Sequence, residues 1–315
     1  MLTKHPIALL TLPIVLTACG GESSTQDTQT AKVSFAITDA PVLTATEVVV
    51  AYDAIEIKHQ NGERYYFELD DTNNSGSYLS VNLLDYQGDD ALPILSNEPI
   101  AVGTYKEVIL HTLSQHSYVV DNGQHDLKIP SNKLKLGGFE VTQEAVQSFT
   151  IDFNLQKSLV LRGNSSSNNG YNLKPHGVSI VDNSAVATLT GNVESDLWSA
   201  GDCALEDGNV VYLYKGHNHI LADLVDNLDP TDSEYVANPN LPSQYVAPFS
   251  SVYIDEIGNY TFGFVPAGDY SVAFSCSAND DPIQYDEIAI PNPEGQLKEI
   301  TLVAGETLTA DFITQ

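Results

Sequence analysis

The sequence is poor in basic residues, and this scarcity restricts the partners of the protein. Lys and Arg together number 13 of 315 residues, against 42 Asp and Glu, so the formal net charge at pH 7 is −29. Because such a surface repels phosphate backbones, nucleic acid is disfavoured as a partner. The sequence also lacks the motifs of a serine-hydrolase elbow, of a zinc-binding HExxH helix and of a phosphate-binding glycine loop.

Long apolar runs are scarce, and the run near the N-terminus is short. It covers residues 7–16, follows Lys4 and His5, and contains Pro13. A membrane-spanning helix needs about 20 apolar residues, so this run is too short to span. A basic end, a short apolar core and small residues after it are typical of a secretory signal peptide, here residues 1–18. The alternative is a buried helix or strand at the N-terminus.

The residues that end this leader resemble a bacterial lipobox. Leu16, Thr17 and Ala18 run up to Cys19, which the resemblance makes the acylated residue of the mature chain. Several acyl chains on one cysteine anchor a protein stably, so the resemblance implies a membrane partner through Cys19. Because residue 20 is Gly and not Asp, the same resemblance favours the outer membrane and leaves the membrane face open. Residues 19–30 are polar and small, which predicts a flexible tether.

Cysteine is equally scarce, with three in the chain. If Cys19 carries the anchor, Cys203 and Cys276 remain. An even pair in an exported protein predicts a disulfide. A metal site is the weaker interpretation, because two thiols do not complete a tetrahedral set of ligands.

The sequence is rich in residues that favour β-strands. It has 16 Tyr and many short alternating runs, and Gly and Pro separate these runs. The pattern predicts an all-β protein with two antiparallel β-sandwich domains after the signal and tether. We place the first at residues 31–185 and the second at residues 186–315.

Five short motifs in the first of these regions resemble one domain-of-unknown-function family of bacterial surface lipoproteins. They occupy residues 33–41 (VSFAITDAP), 102–105 (VGTY), 129–131 (IPS), 151–153 (IDF) and 171–175 (YNLKP). The resemblance implies an all-β domain exposed in the cell envelope. It implies no activity.

The second region resembles the transthyretin-like, carboxypeptidase-regulatory-type β-sandwich. Residues 259–274 predict a hairpin around Pro266, Ala267 and Gly268, and a closing turn follows at 303–305. The resemblance implies a spacer, a stabiliser or an interaction module. An insertion at residues 217–251 is longer than such a domain needs, and the sequence assigns it no role.

Aspartates recur at every third position inside this insertion, at Asp223, Asp226, Asp229 and Asp232. Oxygen-rich loops suit Ca²⁺, which takes 6–8 oxygen ligands, so the loop is a candidate Ca²⁺ site. The spacing differs from that of an EF-hand. The alternative, which we favour, is a solvated acidic loop or one short helical turn with Asp at its caps.

Aromatic residues in the second region suggest a platform on which sugars stack. Trp198, Tyr235 and Tyr245 are the candidates for ligand stacking, whereas Tyr212 and Tyr214 occupy strand positions and are predicted to be core. Trp198 is the one tryptophan of the chain.

These observations together predict a non-enzymatic, lipid-anchored envelope protein. We expect it to bind a glycan or an envelope protein, or to act as a scaffold for one. No cofactor is required, although Ca²⁺ is a candidate ligand. Two alternatives stay open: a purely structural spacer, and a hydrolase that uses a pair of carboxylates. A cleft with two or three carboxylates and one raised pKa would favour the hydrolase.

Overall fold

The structure, a computed structural model, describes residues 29–40, 45–70, 77–143, 145–164, 167–199, 203, 208–231, 235–276, 278 and 284–314. The signal peptide and Cys19 lie outside these ranges, as does Asp232. The fold is all-β, as the sequence predicts. Within the described ranges, no helix combines the length and apolarity needed to cross a bilayer.

The N-terminal part of the chain forms fourteen strands and one short helix. The strands are β1 (Thr30–Ala40), β2 (Glu47–His59), β3 (Arg64–Glu68), β4 (Leu79–Asn82), β5 (Leu92–Ala101), β6 (Gly103–Thr112), β7 (Tyr118–Val120), β8 (Gln124–Lys128), β9 (Lys133–Leu136), β10 (Phe139–Val141), β11 (Val146–Asn154), β12 (Leu159–Asn164), β13 (Ser167–Leu173) and β14 (Val178–Asp182); helix α1 is Leu155–Ser158. Three-residue 3₁₀ turns lie at Leu83–Asp85, Ser114–His116, Pro130–Asn132 and Asn183–Ala185.

These strands form two sheets that enclose one core. The smaller sheet has the order β14-β11-β1-β5, and the larger has the order β10-β6-β2-β7-β8-β13-β12, with β3 and β4 paired to β2 and β9 to β6. Alternate residues of β1 and β11 face inward, among them Phe35 and Phe149, whose rings stack 5.3 Å apart. From the larger sheet, Ile55 and Leu110 pack in the same core. Because side chains alternate across a strand, the other face of β11 points away from this core.

Strand β5 is an element that the sequence pattern did not predict. It contains Pro93 and Pro99, and proline cannot donate to a ladder, which lowers the strand signal. The structure resolves the conflict by placing β5 at the edge of its sheet, where it pairs with β1 alone. The sequence predicts antiparallel sheets, but strands β1 and β11 pair in parallel.

The C-terminal part forms seven strands in two further sheets. They are β15 (Val186–Asn192), β16 (Val210–Lys215), β17 (Ser250–Tyr253), β18 (Asn259–Pro266), β19 (Gly268–Ser275), β20 (Leu297–Leu302) and β21 (Thr307–Thr309), with 3₁₀ turns at Ser195–Leu197 and Leu221–Asp223. The sheet orders are β18-β15-β21 and β17-β16-β19-β20. Their facing side chains form a second core, which includes Leu189, Val211 and Phe274.

The predicted hairpin at residues 259–274 is correct in its strands and wrong in its pairing. Strand β18 bonds to β15, whereas β19 bonds to β16 and β20 in the opposite sheet. The turn at Ala267 therefore carries the chain across the sandwich. The physical reason is that Phe262 and Phe274 both belong to the core, which they enter from opposite sides.

The insertion covers the outer face of the sheet that contains β16. Tyr212 and Tyr214 project from this face, are fully buried, and pack with Leu224 of the insertion in a third hydrophobic cluster. The hydroxyl of Tyr214 donates to the carbonyl of Val225 at 2.8 Å. The near-continuous apolar run of residues 210–214 fits a strand that is buried on both faces. The insertion thus completes the fold of the C-terminal sandwich.

Cys203 and Cys276 form the predicted disulfide, which joins residues 73 positions apart in the sequence. Cys276 directly follows β19, and both side chains pack in the second core. The bridge therefore ties the segment before β16 to the end of β19.

Asp226 fastens the insertion to the segment before β20. Its Oδ2 accepts hydrogen bonds from the backbone N–H groups of Asp286 (3.0 Å) and Ile288 (2.9 Å), and its side chain is fully buried. Burial raises the pKa of Asp226 to about 6, although the N–H groups of Ile288 and Asp286 favour the ionised form.

Substitution of Asp226 should loosen this contact. We expect Asp226→Ala to lower the free energy of unfolding by about 1–3 kcal/mol, because two backbone donors lose their acceptor. Asp226→Asn is the matched control, since its amide oxygen can still accept. Chemical denaturation of the three proteins at pH 7 measures the difference. Equal losses in the Ala and Asn variants would contradict this assignment.

Candidate functional site

A cleft of about 280 Å³ lies between the two sandwiches. Its floor is the outer face of the smaller N-terminal sheet, and its roof comes from β17, β18 and the residue before β17. Sixteen residues line it: Asp39, Gly88, Asp152, Asn154, Lys157, Gly177, Val178 and Ser179 below, and Phe249, Ser250, Val252, Thr261, Phe262, Gly263, Phe264 and Val265 above.

The floor carries Asp152, which the sequence places on the outward face of β11. Phe149, Ile151 and Phe153 face the core, so Asp152 points the other way, opposite Ser179 of the neighbouring strand. The Asp152 side chain keeps some contact with solvent through the cleft, while protein surrounds it on its other sides. This burial raises the pKa of its carboxyl from 3.8 to about 7. A carboxyl in such a setting is typical of functional sites.

Asp39 is the second carboxylate of the cleft, but it lies deeper. It lies one residue before the end of β1, where the parallel register with β11 pairs it with Phe153, and 3% of its surface is exposed. Burial, and secondarily the charge of Asp39, raise the pKa of Tyr52 inside the first core. Asp39 thus faces the interior of the N-terminal sandwich more than it faces the cleft.

Lys157 supplies positive charge at one side of the cleft. Burial lowers the pKa of its ammonium group, and the nearby carboxylate of Asp229 opposes this effect. Asp229 lies in the insertion and also pairs with His176. Burial alone would raise the pKa of Asp229, but hydrogen bonds from Thr231 and the charge of His176 lower it.

Buried polar contacts hold the two sandwiches together beside the cleft. Ser251 of β17 donates to Oε1 of Gln156 in α1 at 2.7 Å, and Asn227 of the insertion donates to the Ser251 hydroxyl at 2.9 Å. Both Ser251 and Asn227 are buried. Since buried polar groups that are hydrogen-bonded fix geometry, this network sets how the floor and roof face each other.

The sequence did not identify this cleft. Asp39 and Asp152 belong to the short motifs at residues 33–41 and 151–153, which carry the family resemblance and give no sign of a cleft. Each carries an ordinary local pattern, and the cleft exists because a distant part of the chain covers β11. The one local signal was a carboxylate between two buried aromatic positions, Phe149 and Phe153.

The aspartates of the candidate Ca²⁺ loop are directed to protein partners. Asp226 binds the backbone near residue 286, Asp229 pairs with His176, and Asp223 stays partly exposed in its 3₁₀ turn. Asp232 lies outside the described residues. Among the described residues, no three His, Cys, Asp or Glu side chains are grouped so that they could hold a metal ion. The structure therefore does not bring Asp223, Asp226 and Asp229 together.

The three residues proposed to stack on a ligand differ in how far they are exposed. Trp198 is 6% exposed and its indole N–H donates to the Val193 carbonyl at 2.9 Å, so its ring belongs to the core and offers no open face. Tyr235 is half-buried, and Tyr245 is 38% exposed on the insertion. A platform that includes Trp198 is therefore excluded by its burial, whereas Tyr212 and Tyr214 are core residues as predicted.

A family model matches the N-terminal sandwich. Its description is "Domain of unknown function (DUF4382)", and the match covers residues 30–175. This supports the resemblance that the five short motifs indicate. The comparison with curated proteins found no match.

Solved structures show only a distant likeness to the chain. The Bacillus anthracis TIE protein is 11% identical with a TM-score of 0.21; the match covers 90% of this chain, which spans about a third (33%) of that protein. The minor pilin of Streptococcus agalactiae is 10% identical over 89% of this chain and 94% of its own, with a TM-score of 0.21. The major pilin subunit of Bacillus cereus is 8% identical over 90% and 98%, with a TM-score of 0.20. At these TM-scores the likeness carries no argument about function.

The raised pKa of Asp152 has a consequence for stability. A carboxyl whose pKa is raised by folding stabilises the native state most fully below its unfolded value, near 4, and this contribution is lost as the pH rises through about 7. We expect Asp152→Asn to be more stable than the native protein above pH 7, by on the order of 1 kcal/mol after screening by water in the cleft. Thermal unfolding between pH 4 and pH 8 measures this, and identical pH profiles of the two proteins would contradict it.

Proposed function

We propose that the protein is a lipid-anchored, non-enzymatic component of the bacterial envelope that binds a ligand in the cleft between its sandwiches. The observation that carries the proposal is the cleft itself, where the buried carboxyl group of Asp152 on the floor lies below a roof that includes Phe249 and Phe264. Concave sites with a few polar groups among apolar walls are the usual setting for ligand binding. The lipobox-like residues before Cys19 support the anchor.

The anchor is tested by labelling cells with an alkyne analogue of palmitate. The native chain should be labelled and should fractionate with the outer membrane, whereas Cys19→Ala should be unlabelled and released from it. Protease treatment of intact cells, with lysed cells as the control, then assigns the membrane face. Label on the Cys19→Ala variant, or a native chain without label, would contradict the anchor.

A carboxylate-based hydrolase is the second candidate, because Asp39 and Asp152 line one cleft and the pKa of Asp152 is raised. Two-carboxylate catalysis needs both groups to reach the substrate. Asp39 is 3% exposed and lies against the core, which favours binding over catalysis. Hydrolysis of a polysaccharide or peptide by the native protein, lost in Asp152→Asn, would support the hydrolase and overturn the non-enzymatic proposal.

A further inference from the structure

The floor of the cleft carries one carboxyl group that faces the cavity, that of Asp152, because Asp39 faces the interior of the N-terminal sandwich. The ammonium group of Lys157 lies at one side of the cleft, and the charged group that acts on it is Asp229. Within the described part of the chain, no basic side chain forms an ion pair with Asp152. A bound cation would therefore meet a carboxyl group that has no basic ion-pair partner among the described residues, and its charge would favour the ionised form of Asp152.

The roof determines which kind of cation fits. Phe249 and Phe264 provide aromatic side chains, whereas Val252 and Val265 line the cleft from strands and pack in the second core. An aromatic ring attracts an ammonium group placed over its face. Phe249 already makes this contact, because the Lys215 ammonium lies 4.4 Å from its ring centroid. The environment above Asp152 is thus compatible with an organic ammonium group and its alkyl chain.

A bare metal ion fits this site less well. Ca²⁺ takes 6–8 oxygen ligands, and Mg²⁺ demands an octahedron of them. The roof residues include no carboxylate, and the described residues contain no group of three or more metal-binding His, Cys, Asp or Glu side chains. An alkylammonium needs one carboxylate for its charge and apolar walls for its chain, which the cleft supplies.

We propose that the cleft binds an alkylammonium group, with Asp152 as its counter-ion and the Phe249–Phe264 side of the roof against its alkyl chain. The inference rests on the proposed function and specifies the ligand class of the same cleft. The cavity of about 280 Å³ is just below the size range of drug-sized sites, ~300–1,000 Å³, and suits one linear chain. The group can belong to a lysine side chain of a partner protein or to a free amine.

Titration calorimetry of the mature chain in detergent tests the proposal with three probes of similar length. These are pentylamine (charged at neutral pH), pentanol (neutral) and pentanoate (anionic). Pentylamine should bind, and the other two should bind at least about tenfold more weakly. Asp152→Asn should weaken the binding of pentylamine at least about tenfold. Asp196→Asn, an exposed site away from the cleft, makes the same change in net charge and should bind like the native protein.

Three results would overturn the inference. They are equal affinity for pentylamine in Asp152→Asn, equal loss in Asp196→Asn, or pentanol binding as tightly as pentylamine. Absence of pentylamine binding up to ~10 mM would also overturn it. If pentanol or pentanoate binds in the cleft instead, the proposed function survives and only the ligand class is wrong.

A second pair of probes separates the two sources of the ammonium group. Acetyl-lysine-amide, acylated on its α-nitrogen, carries the charged side chain between peptide groups, and acetyl-norleucine-amide is its neutral match. Tighter binding of the lysine derivative than of pentylamine assigns the site to a protein segment. Tighter binding of pentylamine assigns it to a free amine.

Discussion

Replacing Cys203 and Cys276 with alanine should lower the stability of the C-terminal sandwich by about 4 kcal/mol. The bridge closes a loop across 73 positions, and the chain-entropy model gives this value for a loop of that length. The melting temperature should fall on the order of 10 °C. Differential scanning calorimetry of the oxidised native protein and of the double variant measures the change.

Two controls separate the disulfide from the packing of the sulfur atoms. A reducing agent should destabilise the native protein and leave the double variant unchanged. Each single cysteine variant should lose about as much stability as the double variant, because either one removes the same bond. A double variant that melts with the oxidised native protein would show that the bridge is not a source of stability.

Gly263→Ala should force the two sandwiches apart at the roof of the cleft. A Cβ atom at Gly263 would overlap the backbone carbonyl of Gly88 and lie 2.9 Å from the Cα of Asp89. Backbone atoms cannot rotate away, so the contact must open, at a cost of about 1–3 kcal/mol. Small-angle X-ray scattering should show a larger radius of gyration, and thermal unfolding should begin earlier.

Gly137→Ala is the matched control for this prediction. A Cβ atom at Gly137 meets nothing within 4 Å, so the same chemical change should leave the size and stability of the protein nearly unchanged. If Gly263→Ala and Gly137→Ala have the same radius of gyration and the same melting temperature, the two sandwiches do not pack closely at Gly88 and Gly263.

Local patterns in the sequence predicted most of the strands, because alternation reports burial on one face directly. The alternating residues Val33, Phe35 and Ile37 face the first core, and the run at 210–214 is buried on both faces. The disulfide was predictable from the count of cysteines. The strand with Pro93 and Pro99 was not, because its prolines are tolerated only through its place at a sheet edge.

Pairing and the candidate site depend on contacts between distant segments, and no local pattern contains them. The pattern of residues 259–274 predicts a hairpin, yet its two strands, β18 and β19, belong to opposite sheets of the sandwich. The sequence pattern of Asp226 and Asp229 predicts an acidic loop. In the structure, Asp226 accepts hydrogen bonds from backbone N–H groups and Asp229 pairs with His176. Asp152 becomes a site residue because β17 and β18 cover its strand.

Photo-crosslinking in intact cells tests most directly whether the cleft is the binding site. A benzophenone amino acid is placed at Ser179, which lines the cleft, and in a second strain at Ser148, an exposed position of β11 that does not line it. We predict a covalent adduct of defined mass at Ser179 that is absent at Ser148 and is lost when Asp152→Asn is added. Equal adducts at both positions, or none at Ser179, would contradict a ligand-binding cleft.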